Sequence, residues 1–307
     1  MAQRSSIIIG TRGSPLALAQ AYEARDLLSL ALGWSREQLP LNIIKTTGDI
    51  IQDRSLAEAG GKGLFTRELD QALLNGEIDL AVHSAKDLPT DFPDGIECPG
   101  YLKREDVRDA LISLKYNSLD EIPADARIGT ASFRRQCQMK QLFPHAQIQL
   151  LRGNVDTRLK RLAEESIDVT LLAVAGLNRL GYQRHIKQIL ETDSFLPAVG
   201  QGAIGLTIRN GDPFLKDIAS RITDGPTSAA VTMERAFLKA LDGSCRMPIA
   251  GYAREQDSVL SFKGQVFRPD GSEVLSIEKL SSAANAFEAG LEAGLALKKQ
   301  MPEDYFG

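Results

Sequence analysis

The stretch Ile7-Ile8-Ile9-Gly10-Thr11-Arg12-Gly13-Ser14-Pro15-Leu16-Ala17-Leu18-Ala19-Gln20 sets the architecture. Three consecutive apolar residues read as a short strand buried on both faces. Ser14 reads as an N-cap and Pro15 as the first helical residue, a position whose N–H has no helical partner anyway. Behind them Ala17, Ala21, Ala24, Leu28 and Ala31 recur at steps of 4, 3, 4 and 3, one face of a helix. Strand, polar turn and helix open a βαβ unit. The rhythm continues with a strand at 41–45, a helix marked by Phe65, Leu69 and Ala72 that stops near Gly76, and a strand at 79–83; Pro89 and Pro93 then interrupt it. The pattern predicts an α/β domain with a mostly parallel sheet.

A second α/β unit starts near residue 105. Its strands are expected at 127–129, 148–151 and 168–173, with a helix from Ser132 and another carrying Val155, Leu159 and Leu162 inward. A strand at 203–209 precedes the linker-like Thr223-Asp224-Gly225-Pro226. The remainder differs in kind. One helix carries Ala230, Met233, Phe237 and Ala240, and a closing helix has Ala284, Phe287, Leu291 and Leu295 on one face. Between them lie strands at 259–266 and 274–277, joined by the turn Pro269-Asp270-Gly271. Helices on one face of a small antiparallel sheet make this an α+β domain.

The 307 residues, 43% hydrophobic and 25% charged, have ordinary globular composition, which excludes disordered and collagen-like classes. Apolar runs are too short for a transmembrane helix, and Ile7–Ile9 is too short for a signal-peptide core, so a cytoplasmic protein is expected. Three cysteines (Cys98, Cys137, Cys245) are no disulfide scaffold, and the odd number leaves a thiol free. Net charge is −4, but residues 101–190 hold 15 Lys and Arg against 10 Asp and Glu. A basic middle in an acidic chain argues against nucleic acid and suits a local site for a small polyanion.

Three turns share one design: a strand, a polar turn with arginine, then a helix N-terminus. They are Gly10–Ser14 with Arg12, Gly129–Arg135 with Arg134 and Arg135, and Leu151–Arg158 with Arg152 and Arg158. Unpaired N–H groups and the helix dipole attract anions, and guanidinium forks fit carboxylate or phosphate. Together the turns point to a cleft for a ligand with several anionic groups; singly, each reads equally well as a cap beside a surface arginine. Lys86-Asp87, at a strand end, can move protons or stabilise a cation, or be a plain surface ion pair. His83 reads as a packed residue. Cys245, in a Gly/Ser turn beside Arg246, has a setting that favours thiolate. The stretch from Asp49 to Gly63, polar and glycine-ended, reads as a lid or a long surface loop. Gly200-Gln201-Gly202-Ala203-Ile204-Gly205 matches the dinucleotide fingerprint but leads into a strand pattern and not a helix. No metal-binding cysteine or histidine spacing is present, and no metal is expected.

Taken together, TRGSPLALAQ (11–20), KTTGD (45–49), GGKGLFTRELD (60–70), DLAVHSAKDLPT (79–90), GTASFRRQCQ (129–138), LRGNVDTRL (151–159), LAVAGLNRLG (172–181), GQGAIG (200–205) and LDGSCRMPIA (241–250) closely resemble the porphobilinogen deaminase family. The blocks run in order over most of the chain. The resemblance implies three domains: 1–103 with 200–221, 104–199, and 222–307. The first two are arranged like a type-II periplasmic binding protein, and the third carries the cofactor cysteine. It implies the head-to-tail joining of four porphobilinogen molecules into hydroxymethylbilane by a monomer, with no membrane or nucleic-acid partner. A dipyrromethane cofactor is implied, attached by a thioether to Cys245. Asp87 matches the catalytic carboxylate. Arg12, Arg134, Arg135, Arg152, Arg158 and Arg179 match the carboxylate-binding arginines. Ser14, Lys86, Thr130 and Ser132 match supporting contacts, Lys62 and Phe65 match residues of the lid and beside the substrate, and Gln201 lies at the domain junction. Ser244 stands where a second glycine is common, Arg246-Met247 where Gln-Val is, and Phe133 where leucine is; none removes a reacting group. A non-catalytic anion-binding protein, a nucleotide-dependent enzyme and a Schiff-base enzyme using Lys86 are the alternatives, and each leaves Cys245 unmodified.

Overall fold

The computed structural model describes residues 4–50, 63–164, 166–243, 247–302 and 304–306. The first lobe contains β1 (Ile9–Arg12), α1 (Pro15–Leu32), β2 (Leu41–Ile44), a short α2 (Thr47–Ile50), α3 (Arg67–Leu74), β3 (Leu80–Ser84) and β4 (Ile96–Tyr101). The second contains β5 (Asp109–Ser113), β6 (Arg127–Gly129), α4 (Phe133–Leu142), β7 (Gln147–Gln149), α5 (Val155–Ala163), β8 (Val169–Ala173), α6 (Val174–Leu180) and β9 (Gln188–Leu190). The chain then returns to the first lobe with β10 (Ile204–Arg209) and α7 (Pro213–Ser220). Last come α8 (Gly225–Ala240), β11 (Ile249–Gln256), β12 (Val259–Phe267), β13 (Val274–Ser281) and α9 (Ala286–Lys298).

The two lobes share one sheet plan. The first has order β2-β1-β3-β10-β4 and the second β7-β6-β8-β5-β9. In each, three neighbouring strands are parallel, and the fourth runs against both its neighbours. The sheets are therefore mixed, with four of five strands pointing one way. The opposed strand is the one that follows each crossing between the lobes, at 102–108 and 191–203. The glycines of the 200–205 run serve this crossing. Gly202 has φ +88°, and a Cβ there would lie 2.5 Å from the Glu105 carbonyl oxygen of the other crossing strand.

Several sequence expectations hold in detail. The Ser14 side chain accepts from the Ala17 N–H with Pro15 in the first turn, and Ser132 caps α4 through the Arg135 N–H. Ala17, Ala21, Ala24 and Leu28 are buried, and Ile7, Ile9, Leu80, Leu206 and Ile208 complete that core. Other expectations shift. The first strand runs 9–12, although the Ile7 and Ile9 N–H groups already bond to Gln38 and Pro40. Phe65 lies two residues before α3, not on it. Four strands were not expected. β4 contains Pro99, tolerated because it is an edge strand. β5 carries a buried Asp109, β9 has three residues, and β11 ends in a polar run.

The C-terminal sheet is antiparallel with order β11-β12-β13, and α8 and α9 cover one face. Thr223–Pro226 connects α7 to α8 and starts the helix itself: Asp224 caps α8 by accepting from the Thr227 N–H at 2.9 Å. On α9 the buried face is Ala286, Ala289, Gly290, Ala293, Gly294 and Leu297, while Phe287 and Leu295 are about half exposed. Small residues win because the helices pack closely; a Cβ on Gly290 would come 2.9 Å from that of Ala236. Phe287 and Leu295 are left at the rim.

Candidate functional site

Parallel strands bring their carboxyl ends together, and the turns that follow form the floor of a cleft. A cavity of about 560 Å³ lies between the lobes there. The first lobe contributes Arg12, Ser14, Lys45, Asp49, Phe65, Lys86 and Asp87; the second contributes Arg135, Arg152, Asp156 and Arg158. An adjoining recess of about 80 Å³ shares Arg12, Ser14, Phe65, Lys86 and Asp87, and reaches Gln20 and His83. Six lining cations against three carboxylates make the cavity a site for an anionic ligand.

Arg12 is held on three sides. Its Nη2 donates to Asp49 Oδ1 at 2.5 Å and its Nε to Asp49 Oδ2 at 3.3 Å. Its guanidinium lies 4.2 Å from the centre of the Phe65 ring, and Nη1 is 3.7 Å from Asp87 Oδ2. Asp49 also accepts from Thr46 Oγ1 at 2.8 Å. Burial raises the Asp49 pKa, but these donors outweigh it and hold the carboxyl below the usual range. Sequence reading placed Asp49 at the start of a loop; its spacing from Arg12 gave no sign of this fork.

Lys86 follows β3 in a single 3₁₀ turn, Ala85–Asp87. Burial, then Arg135, pulls its pKa down to about 8, against the pull of Asp87 and Asp109. Arg158 donates from Nε to the Gly153 carbonyl at 3.1 Å, and burial with Arg135 and Arg152 nearby lowers it to about 10. Cations crowded this way are relieved by an anion.

Other matched residues lie elsewhere. Arg134 and Arg135 both engage the fully buried Asp109, at 2.7 and 2.6 Å. Arg134 also donates to the Leu196 carbonyl, and Gln201 Nε2 donates to Asp109 Oδ1 and the Val107 carbonyl. Burial favours the neutral Asp109 carboxyl, but the two guanidiniums prevail and hold it well below the usual range. Arg135 alone of this group reaches the cavity wall. Thr130 accepts from the Ser132 N–H at 3.1 Å, and Ser132 is occupied as a cap. Arg179 donates to Glu23 of α1 at 2.9 Å and to the Gly202 carbonyl at 3.3 Å, tying the lobes together. His83 is packed: its ring contacts Thr207 Oγ1 at 2.9 Å, and burial lowers its pKa to about 3. Lys62, Cys245 and most of the 49–63 stretch lie outside the described residues. Thr90 Oγ1, three residues after Asp87, donates at 3.0 Å to the carbonyl of Gly243, two residues before Cys245.

Residues 7–217 match the family described as "Porphobilinogen deaminase, dipyromethane cofactor binding domain", and residues 228–299 match "Porphobilinogen deaminase, C-terminal domain". The chain belongs to the porphobilinogen deaminase family. Similar relatives are the porphobilinogen deaminases of Nitrobacter winogradskyi and Paracoccus denitrificans. The first is 49% identical, with 97% of this chain and 94% of that protein covered. The second is 46% identical, with 99% and 97% covered. The chloroplastic enzyme of Pisum sativum is 47% identical over 98% of this chain and 83% of its own length. Among solved structures, the methionine-binding protein MetQ superposes with a TM-score of 0.46 at 12% identity, covering 72% of this chain and 91% of that one. Membership of the porphobilinogen deaminase family makes the chain an enzyme of tetrapyrrole synthesis with a dipyrromethane-binding domain. No helix among the described residues is long and apolar enough to cross a membrane. No group of three or more His, Cys, Asp or Glu that could hold a metal ion occurs among them.

Proposed function

We propose that the chain joins four porphobilinogen molecules head to tail, releasing one ammonia per addition, and frees hydroxymethylbilane with water. It works as a cytoplasmic monomer without nucleic-acid or membrane partners, and its working domains are 1–103 with 200–221, 104–199 and 222–307. The observation that carries the reading is the cationic cleft that includes Asp87, supported by the Thr90–Gly243 hydrogen bond that joins the segment after Asp87 to the residue two before Cys245.

The residues present fit a dipyrromethane. Two linked pyrroles carry four carboxylate arms and two flat apolar rings, and the lining combines cations with Phe65 and Leu16. Arg12, Lys86, Arg152 and Arg158 are the residues that hold it, with Cys245 as the point of attachment. Once bound, the group supplies a nucleophilic pyrrole carbon. Arg12, fixed by Asp49 and Phe65, keeps a guanidinium beside Asp87. Asp87 accepts a hydrogen bond from a pyrrole N–H and, still charged, faces the cationic carbon left on the substrate as its amine departs as ammonia. Ser14, Thr130 and Ser132 hold the helix N-termini that flank the ligand. Arg134 and Gln201 act through Asp109, by keeping Arg135 at the wall. Arg179 acts between the lobes, and Lys62 is assigned to the lid.

The test is the intact denatured mass of the purified chain with peptide mapping around Cys245. Two linked pyrrole units on Cys245 are expected. A thiol that stays bare after incubation with porphobilinogen overturns the reading. In the loaded protein, Asp87→Asn keeps the melting temperature and lowers turnover by about 10²-fold or more, as expected for loss of a charge that stabilises a cation in the cleft; a normal rate removes Asp87 from its role.

A further inference from the structure

We propose that Lys45 is a further binding and specificity residue of the cleft, one that takes a carboxylate arm of the lengthening oligopyrrole from the first-lobe wall. The inference rests on the function proposed above. Lys45 directly follows β2, and Ile44 pairs in register with Arg12 on β1. Lys45 and Arg12 therefore leave adjacent parallel strands at the same end, about 5 Å apart at the backbone. Both line the cavity.

Their electrostatic situations differ. Arg12 already holds the Asp49 carboxylate, Arg135 holds Asp109, and Arg179 holds Glu23. Lys45 is exposed, and it makes no ion pair with any described residue. The second lobe contributes Arg158 to the same cavity, and burial with Arg135 and Arg152 nearby lowers its pKa. An arm that reaches Lys45 therefore displaces no resident carboxylate. The side chain suits the task. Arginine presents a rigid fork that fixes one carboxylate in one place. Lysine carries a point charge on a flexible four-carbon stem, so its head can follow arms whose positions change as units are added.

The test uses the cofactor-loaded enzyme with Lys45→Met, Lys45→Glu and Lys45→Arg, beside the parent chain. Lys45→Met keeps the stem and removes the charge. It is expected to raise KM for porphobilinogen about fivefold while kcat stays within about twofold, the size of one partly exposed charged contact. The same variant flattens the dependence of KM on salt. Lys45→Glu raises KM further, and Lys45→Arg, which keeps the charge but not the compact mobile head, falls between the parent and Lys45→Met. At limiting substrate, intact mass spectrometry of Lys45→Met shows enzyme accumulating with fewer added pyrrole units than the parent. Melting temperatures stay unchanged throughout. An active parent whose Lys45→Met variant matches it in KM, salt response and mass distribution overturns the proposal, as does a fall in kcat at unchanged KM. A parent with a bare Cys245 and no turnover overturns the functional reading, and this proposal with it.

Discussion

At Lys86, burial and a neighbouring guanidinium have brought a lysine within reach of ordinary buffers, near pH 8. Two consequences run in opposite directions. The cation proposed to bind carboxylates is lost as pH rises through about 8, so KM is expected to rise across that interval. The folded pKa lies below the ordinary lysine value of 10.5, so the unfolded chain holds the proton more firmly between the two. This group's contribution to stability therefore increases with pH over the same window. Initial rates and urea melts at pH 7, 8 and 9 measure both trends, and Lys86→Arg, which stays charged, should abolish the KM limb. A KM limb that persists in Lys86→Arg assigns it to another group. The lysine and its neighbour Asp87 were legible as a candidate pair from the strand end they occupy. The depressed pKa was not, because Arg135 reaches it from α4 and Asp109 from β5.

The polar turns show how far a local signal extends. Ser14, Ser132 and Asn154 all cap the helices that their turns introduce, as the sequence suggested or allowed. The arginines in those turns do not share one fate. Arg12, Arg152 and Arg158 line the cavity, whereas Arg134 faces Asp109 on β5 and the Leu196 carbonyl. Asp109 escaped sequence reading because a lone carboxylate at the start of an apolar run carries no periodicity. Its partners lie 25 and 26 residues away. Asp109→Asn leaves two buried guanidiniums competing for a neutral amide and is expected to cost about 3–5 kcal/mol, measurable by denaturant unfolding. A loss below 1 kcal/mol means the arginines find other partners. Asp109's folded pKa is depressed, so its contribution to stability is present above the unfolded value near 3.8 and fades as pH falls through the folded one.

For the whole molecule, the point to watch is where three units meet. Arg104, at the first crossing between lobes, pairs with both carboxylate oxygens of Glu234 on α8, at 2.6 and 3.0 Å. Glu234 is fully buried and also accepts from the Gly200 N–H of the second crossing and the Ala253 N–H of β11. One carboxylate thus binds both crossing strands to the C-terminal unit. Arg104→Leu or Glu234→Leu alone strands a partner in a dry site, with an expected cost of about 3–5 kcal/mol. The double variant removes both charges and should be less destabilised than the sum of the singles. Strict additivity in the thermal melts would show that the two side chains act independently.

The sequence by itself determined the class of each unit and the identity of the family. Hydrophobic period, caps and turn residues act within about ten positions, and long family blocks keep their order without reference to space. It also marked Arg12, Asp87 and Cys245 as the places to look. Only the tertiary structure decided which cations face the cleft and which are neutralised behind it. It also decided that Phe287 and Leu295 of α9 lie outward and that Asp49 holds Arg12. Those outcomes depend on pairings between strands tens of residues apart, and on how closely two helices can approach. No local pattern encodes them, because a carboxylate finds its guanidinium only once the sheets that carry them have formed.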